Sequence, residues 1–330
     1  MPRVSICIPT YNYAAFLPRA VESALGQTYR DVEVVVLDDA STDETPDVLA
    51  RYAGDERFSV RRAEVNVGLF GNFNRCLEVA RGDFVKVLCA DDWLHPRSVE
   101  DALAALDRHP SAGMASSPAW LVDADDRVTG VRGAPFGPGE LVASPAALRG
   151  HADWGNAAGM PTNVLLRRAV IDEVGGFDGQ FAPAGDLHLW LKVLARHDLA
   201  WVAEPRCYMR LHGEHAHGYA YEPSEAEFRL WEDMHDREPA AVDGALLARA
   251  LRREARHHLL YATVSLAQRR GASARGLVRA TGRHLPIRAA LASFAMHLPG
   301  LALGQALRVF AIRSGRLVLY DPAPRPGPRI

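Results

Sequence analysis

Cysteine is scarce in this chain. Its 330 residues hold four, Cys7, Cys76, Cys89 and Cys207, far apart and with no C-x-x-C pair. That excludes a disulfide-stapled scaffold and a zinc ribbon, and predicts buried free thiols in a reducing compartment. Long apolar runs are also missing. The nearest is Ala289 to Leu307, nineteen residues without a formal charge, and His297, Pro299, Gly300, Gly304 and Gln305 interrupt it. A packed or interfacial helix is expected there rather than a membrane span. No leader is expected, because "RVSICIP" enters a strand pattern within three residues of the start. The formal net charge is only −2, so the whole molecule carries no bias towards nucleic acid. Three phosphate and nucleophile signatures are absent as well. No G-x-G-x-x-G follows the first apolar run, which argues against a dinucleotide site; there is no G-x-x-x-x-G-K-[ST] and no G-x-S-x-G.

What is present is an alternation. "VSICIP" (4–9) is a short β-forming run, and Phe16, Leu17, Ala20, Val21, Ala24 and Leu25 then recur at helical spacing. "VEVVVLDD" (32–39) is continuously β-branched, as a strand buried on both faces requires. "STDETPDVLARYA" follows, with Ser41 or Thr42 as expected N-cap. "FSVRR" (58–62), a helix over about 69–80, "FVKVL" (84–88) and a helix over about 97–108 continue the series. Strand–helix alternation predicts an α/β fold, a mostly parallel sheet flanked by helices. The middle, about 110–222, is less regular and contains "WLVDADDRVTG", a predicted hairpin. From 224 onward the pattern is helical, so the expected division is 1–223 and a C-terminal helical, Arg-rich appendage over 224–330. From Arg249 to Ile330 fifteen arginines face only Glu254 and Asp321, a net of +13.

In parallel sheets ligands bind outside the carboxyl ends of the strands. The polar clusters fall there: Pro9–Asn12, Asp38–Asp39, Asn66–Gly68 and Asp91–Asp92. Tyr11 offers a flat face to a base, Thr10 and Asn12 polar edges, and Asp38 or Asp39 an acceptor for a base N–H. Asp91 and Asp92 are adjacent like charges. A solvated turn would explain one of them, and a hard divalent cation, Mg²⁺ or Mn²⁺ against a diphosphate, explains both. Each piece alone is a common turn; the ordered set points to a nucleoside diphosphate with metal.

With those residues in place, the chain resembles the family 2 inverting glycosyltransferases of GT-A fold. The likeness runs through "VSICIPTYNYAAFLPRAVESALGQTYRDVEVVVLDDASTDET" and "NVGLFGNFNRCLEVARGDFVKVLCADDWLHP". It resumes in "VGGFDGQFAPAGDLHLWLKVLARHD" and "YMRLHGEH", covering roughly 3–217. The resemblance implies Pro9, Thr10 and Tyr11 in the base pocket, with Asp39 on the base edge and Asp38 beside it. Asn66, Gly68 and Asn74 would lie near the ribose and diphosphate. Asp91 and Asp92 would form the metal-binding acidic motif, with Asp92 the direct ligand, and Asp186 would be the catalytic base. On spacing alone Asp186 also reads as a helix N-cap. His212 is either a third metal ligand, a phosphate contact or an ordinary loop histidine, and His215 is equally open.

The departures from the family pattern are specific. Cys89 stands at the first position of the acidic motif, Gly185 precedes the base where an acid is usual, and Phe73 replaces an arginine before Asn74. Arg75, Lys86 or Arg210 would then supply the cation for the phosphates, with Arg210 alternatively on the acceptor. Trp154 and Trp120 are candidates for an apolar acceptor platform, and core packing competes for Trp120. The processive members' Q-x-x-R-W is absent, which implies one sugar per encounter. The expected donor is a nucleotide-diphosphate sugar, UDP-linked in preference, and the acceptor a glycan or lipid-linked hydroxyl in surface polysaccharide or glycoconjugate synthesis. Two readings compete. A sugar nucleotidyltransferase would carry a Gly-rich basic loop after the first strand, where "PTYNYAAFLPR" stands. A catalytically silent nucleotide-sugar-binding module would have lost Asp92 or Asp186. In the tail, Leu291, Phe294, Ala295 and Leu298 form an apolar face flanked by Arg279, Arg283, Arg288, Arg308, Arg313 and Arg316. Its two candidate partners are an anionic bilayer and a second copy of the chain. The location that follows is cytoplasmic, peripheral on the inner membrane face if the bilayer is the partner.

Overall fold

The computed structural model describes residues 2–133, 136, 140–211, 224–267, 271–286 and 291, with the side chains of 263–274 excepted. Chain order is β1 (Val4–Thr10), α1 (Leu17–Leu25), β2 (Val32–Asp38), α2 (Thr45–Ala50), β3 (Phe58–Arg62), α3 (Leu69–Val79) and β4 (Phe84–Val87). Then come β5 (Trp93–Leu94), α4 (Ser98–Arg108), β6 (Ala112–Ser116), β7 (Ala119–Val122), β8 (Val128–Arg132), β9 (Leu141–Val142) and α5 (Ser144–Trp154). The remainder is β10 (Leu165–Arg167), α6 (Arg168–Val174), α7 (Gly185–Leu194), β11 (Asp198–Trp201), β12 (Cys207–Arg210), α8 (Glu225–Arg237), α9 (Gly244–Ala267) and α10 (Gly271–His284).

The larger sheet has strand order β3-β2-β1-β4-β10-β6-β11-β9. Its first four strands are mutually parallel, so β1, β2 and β4 end on one edge. The sheet is mixed beyond β4: β10 runs antiparallel to both neighbours, and β9 is antiparallel to β11. A smaller sheet, β5-β12-β7-β8, contains the hairpin anticipated in "WLVDADDRVTG" as β7 and β8.

Period-2 alternation explains why β1 and β2 read as unbroken apolar runs. Val4, Ile6, Ile8, Val32, Val34 and Val36 face α1, α2 and α4 in one apolar cluster. Cys7, Val35 and Leu37 face α3, α5 and α7 in the other. Helix α2 begins at Thr45 rather than after Ser41 or Thr42. The reason is that Ser41 Oγ is engaged elsewhere, accepting the Asn12 N–H at 2.9 Å. Helices α8 and α9, expected as an appendage, bury Phe228, Leu230, Trp231, Met234, Ala255 and Leu259 in the same cluster as α7. All four cysteines are free, and Cys7, Cys76 and Cys207 are buried. Among the described residues no helix is long and apolar enough to cross a membrane. The apolar face around 294–298 and the arginines from 288 onward lie outside the described residues; Leu291 is described and half exposed.

Candidate active site

The loop after β1 turns sharply at Asn12, whose φ is 56°. It is stitched to the loop after β2: Asn12 N–H donates to Ser41 Oγ, and Thr42 N–H donates to Asn12 Oδ1 at 2.7 Å. Asn12 therefore fixes the turn. Tyr11 stands beside it on the rim, 44% exposed, while Thr10 Oγ1 is buried without a hydrogen-bond partner. Pro9 is buried within β1.

The two acids after β2 take protein partners. Asp38 Oδ1 accepts the Ser41 N–H at 2.9 Å, and Oδ2 pairs with Arg62 at 3.1 Å. The Asp39 carboxylate accepts N–H groups from Val67 and Gly68 at 3.0–3.1 Å, with Arg75 at 3.7 Å. Asn66 Oδ1 accepts the same Gly68 N–H at 2.9 Å. Gly68 sits at φ 79° with open space where a Cβ would go, so backbone conformation and not crowding demands glycine. Asp39 thereby holds the Asn66–Gly68 loop against the strand ends. Asn74 is placed differently from expectation. Its Nδ2 donates to Phe177 O and its Oδ1 accepts Phe177 N–H, both at 2.8 Å. The amide clamps the 176–177 loop and is not directed to a diphosphate.

Asp91 and Asp92 follow β4. Asp92 is buried, 4% exposed, and Asp91 partly so. Thr162 Oγ1 donates to Asp92 Oδ2 at 2.7 Å, and Arg210 N–H donates to Oδ1 at 3.1 Å. Burial, with the Asp91 charge second, pushes the Asp92 carboxyl well above the usual carboxylate range. Asp186 lies in the first turn of α7, where Ala184 is the cap, so the N-cap alternative does not hold. Asn156 Nδ2 donates to Asp186 Oδ2 and Leu187 N–H to Oδ1, both at 2.7 Å. Burial raises Asp186 to about 6, against the opposing effects of these donors and of Arg132. The preceding residue is glycine because the Phe70 ring would stand 2.8–3.0 Å from any Cβ there.

The segments that carry these acids are joined by side-chain hydrogen bonds. Cys89, held neutral chiefly by burial, is pushed up further by Asp92, Asp91 and Asp186 together. The stretch 155–163 connects them physically, through Asn156 to Asp186 and Thr162 to Asp92. Between these, Gly159 O accepts Trp190 Nε1–H of α7 at 3.0 Å. Neither Asn156 nor Thr162 stood out in the sequence. The only hint of Thr162 was a Pro-Thr-Asn turn before a strand, and Asn156 follows a Trp-Gly that ends a helix.

The cationic candidates are corrected. Lys86 is 1% exposed inside β4, with Val164 O at 3.4 Å, and burial lowers it to about 8. It faces the core, not a phosphate. The Arg210 guanidinium is committed to Asp126, to Asp123 O and Asp91 O (3.3 Å each), and to the faces of Phe16 and Trp93. It braces the acidic turn and is not directed to an acceptor. Arg75 stands beside Asp39, 3.7 Å from its carboxylate. Trp120 stacks on Tyr208 at 4.6 Å and so belongs to an aromatic stack with Trp93, whereas Trp154 is 68% exposed one residue before Gly155. His212 and His215 lie outside the described residues.

A parallel half-sheet with an acidic pair at its carboxyl edge and a further buried acid on a later helix defines a GT-A nucleotide-sugar transferase fold. The family model "Glycosyl transferase family 2" matches residues 5–175, and the chain belongs to that family. It is 33% identical over 215 residues to an uncharacterized protein of Mycobacterium tuberculosis, a match covering 61% of this chain and 65% of that one. The matched region thus spans less than two thirds of that relative's length. S. aureus TarS 1-349 in complex with UDP-GlcNAc superimposes with a TM-score of 0.64 at 20% identity, covering 97% of this chain and 94% of that one. The mannosyltransferase PcManGT of Pyrobaculum calidifontis, in complex with GDP-Man and Mn²⁺, does so with 0.59 at 20% identity, covering 96% and 84%.

The donor set at Asp91–Asp92 fits the divalent metal that this fold commonly uses. The ligands would be hard carboxylate oxygens, and each Asp92 oxygen keeps a lone pair beyond its one hydrogen bond. The Arg210 guanidinium pairs with Asp126, and its charge also acts on Asp92.

Proposed function

We propose that the protein is an inverting, metal-dependent glycosyltransferase that moves one sugar from a nucleotide-diphosphate donor to an acceptor hydroxyl. The observation that carries this reading is the acidic pair Asp91–Asp92 after β4, with Thr162 bound to Asp92 and Asn156 bound to the buried Asp186 from one connecting segment. In this reading the base lies on Tyr11, with Pro9 and Thr10 beneath it and the remaining acceptor capacity of Asp39 at its edge. Asp38, Asn12, Asn66 and Gly68 shape the loops that enclose it. Asp91 and Asp92 would hold Mn²⁺ or Mg²⁺, which when bound supplies positive charge against the leaving diphosphate.

Asp186 takes the proton from the acceptor hydroxyl as its oxygen attacks the anomeric carbon from the face opposite the diphosphate. A single displacement inverts the configuration. A carboxylate at about 6 suits this task, being ionised near neutrality yet more basic than an exposed aspartate. Asn156 and the Leu187 N–H orient it. Exposed Trp154, next in the chain to the Gly155–Asn156 turn, is suited to stack on an acceptor sugar. A UDP-sugar is favoured over a GDP-sugar, and the acceptor is a glycan or lipid-linked hydroxyl of surface polysaccharide assembly at the inner membrane face. The nucleotidyltransferase alternative lacks its basic loop, since β1 runs directly into Thr10–Tyr11.

The test is incubation with a panel of UDP- and GDP-sugars and glycan or lipid-linked acceptors, with Mn²⁺ or with chelator. The expected product has the anomeric configuration opposite to the donor's and forms only with metal. A product retaining the donor configuration, or full turnover in chelator, contradicts the proposal.

A further inference from the structure

Helix α9 carries a second feature that the transfer reaction does not use. Glu254 and His257 stand three residues apart, a Glu-x-x-His spacing that puts both side chains on one helix face. Facing them from α8 is Glu227. A carboxylate oxygen of each glutamate and a ring nitrogen of His257 lie within 4.8 Å of one another. Glutamates from facing helices joined to a Glu-x-x-His pair are a recurrent way for helical bundles to hold a transition metal.

The local hydrogen bonds leave this triad unsatisfied. Glu254 is fully buried; its Oε1 pairs with Arg253, and Oε2 is buried without a hydrogen-bond partner. His257 Nδ1 is likewise buried and without one. Glu227, 7% exposed, accepts the Ser224 N–H at Oε2 as part of the α8 capping box. Two buried carboxylates thus lie beside the Arg253 guanidinium. Orphaned polar atoms in a native interior require an explanation, and an ion is one of the few available. A capping box accounts for one oxygen of Glu227, and the Arg253 pair for one oxygen of Glu254. Neither accounts for Glu254 Oε2 or His257 Nδ1.

We propose that Glu227, Glu254 and His257 form a second metal site, distinct from the acidic turn at Asp91–Asp92, that takes one zinc-class divalent cation and clamps α8 to α9. Two carboxylates and one imidazole make a borderline donor set that suits Zn²⁺ better than Mg²⁺. Donors around zinc stand about 2.0–2.2 Å from the ion, so the three side chains close in from their present spacing through glutamate rotamers. Its consequence is stability, because a ligand that binds only the folded helix pair stabilises it by mass action.

The experiment uses full-length protein carrying Asp92→Asn, which disables the acidic-turn site and separates this proposal from the proposed reaction. After stripping with chelator and desalting, Zn²⁺ alone is added and followed by elemental analysis and thermal melts. The expected result is about one equivalent of Zn²⁺ retained and a raised melting temperature. Adding Glu254→Gln or His257→Ala should weaken binding at least about tenfold and abolish the thermal shift, with the helical circular dichroism of Asp92→Asn alone. Glu254→Gln preserves shape should His257→Ala fail to fold. No retained zinc in the Asp92→Asn protein, or unchanged affinity in Glu254→Gln, overturns the site.

Discussion

Asp186, the proposed base, shows how a buried acid costs stability. Its folded value of about 6 lies above the ordinary 3.8, with burial the first cause. The folded state therefore binds the proton more tightly than the unfolded one. That contribution is complete below about 3.8 and is lost as pH rises through about 6. At pH 7.5 the buried anion is a net burden of up to about 3 kcal/mol, at about 1.4 kcal/mol per pKa unit. Asp186→Asn removes the charge, and a rotation of the Asn156 amide would present its unpartnered Oδ1 to the new N–H₂. We expect this variant to melt a few degrees higher than wild type at pH 7.5 and to show no advantage at pH 4.5. Calorimetry at the two pH values checks it; an equal destabilisation at both would assign Asp186 to architecture. The role proposed for this aspartate rests, in the sequence, on the resemblance alone. Its partner Asn156, and the Thr162 that holds Asp92, come from a stretch with no periodicity to mark it.

At the scale of elements, β1 to β4 and helices α1, α3 and α4 followed from periodicity to within a residue or two, because both faces of β1 and β2 are buried and leave no ambiguity of type; the short β5 was not anticipated. Helix α2 started late because its expected cap, Ser41, accepts from Asn12 instead, a tertiary bond that local propensity does not encode. The same blindness misplaced three polar side chains. Lys86 sits in a strand centre, Asn74 binds Phe177 across 103 residues, and Arg210 binds Asp126. Composition also marked 224 onward as set apart, yet α8 inserts Phe228 and Trp231, both fully buried, into the core shared with α7. Removing two such side chains exposes their sockets at about 3–5 kcal/mol each. Truncation after 223 should therefore yield insoluble protein, whereas truncation after 291 should stay soluble and bind UDP. Expression and UDP calorimetry of the two check this; a soluble, UDP-binding 1–223 would make the helices a separate unit.

For the whole molecule, the mostly parallel sheet brings β1, β2 and β4 to one edge, and each acid gains its meaning from that convergence. Asp91 and Asp92 are neighbours in sequence, but Asp186 reaches them only through the fold, with Asn156 and Thr162 as the bridge. The pH dependence of turnover at saturating donor and metal tests this account most directly. Asp186 faces Asn156 and the Leu187 N–H, with Arg132 and, from α8, Glu227 as its charged surroundings. Wild-type turnover should rise with pH through about 6 and level off above it. Asp186→Asn should lose about 10²–10⁴-fold in turnover, lack that rise, and bind UDP as tightly as wild type. A wild-type profile that is flat between pH 5 and about 8, or an Asp186→Asn protein that turns over at the wild-type rate, would contradict it.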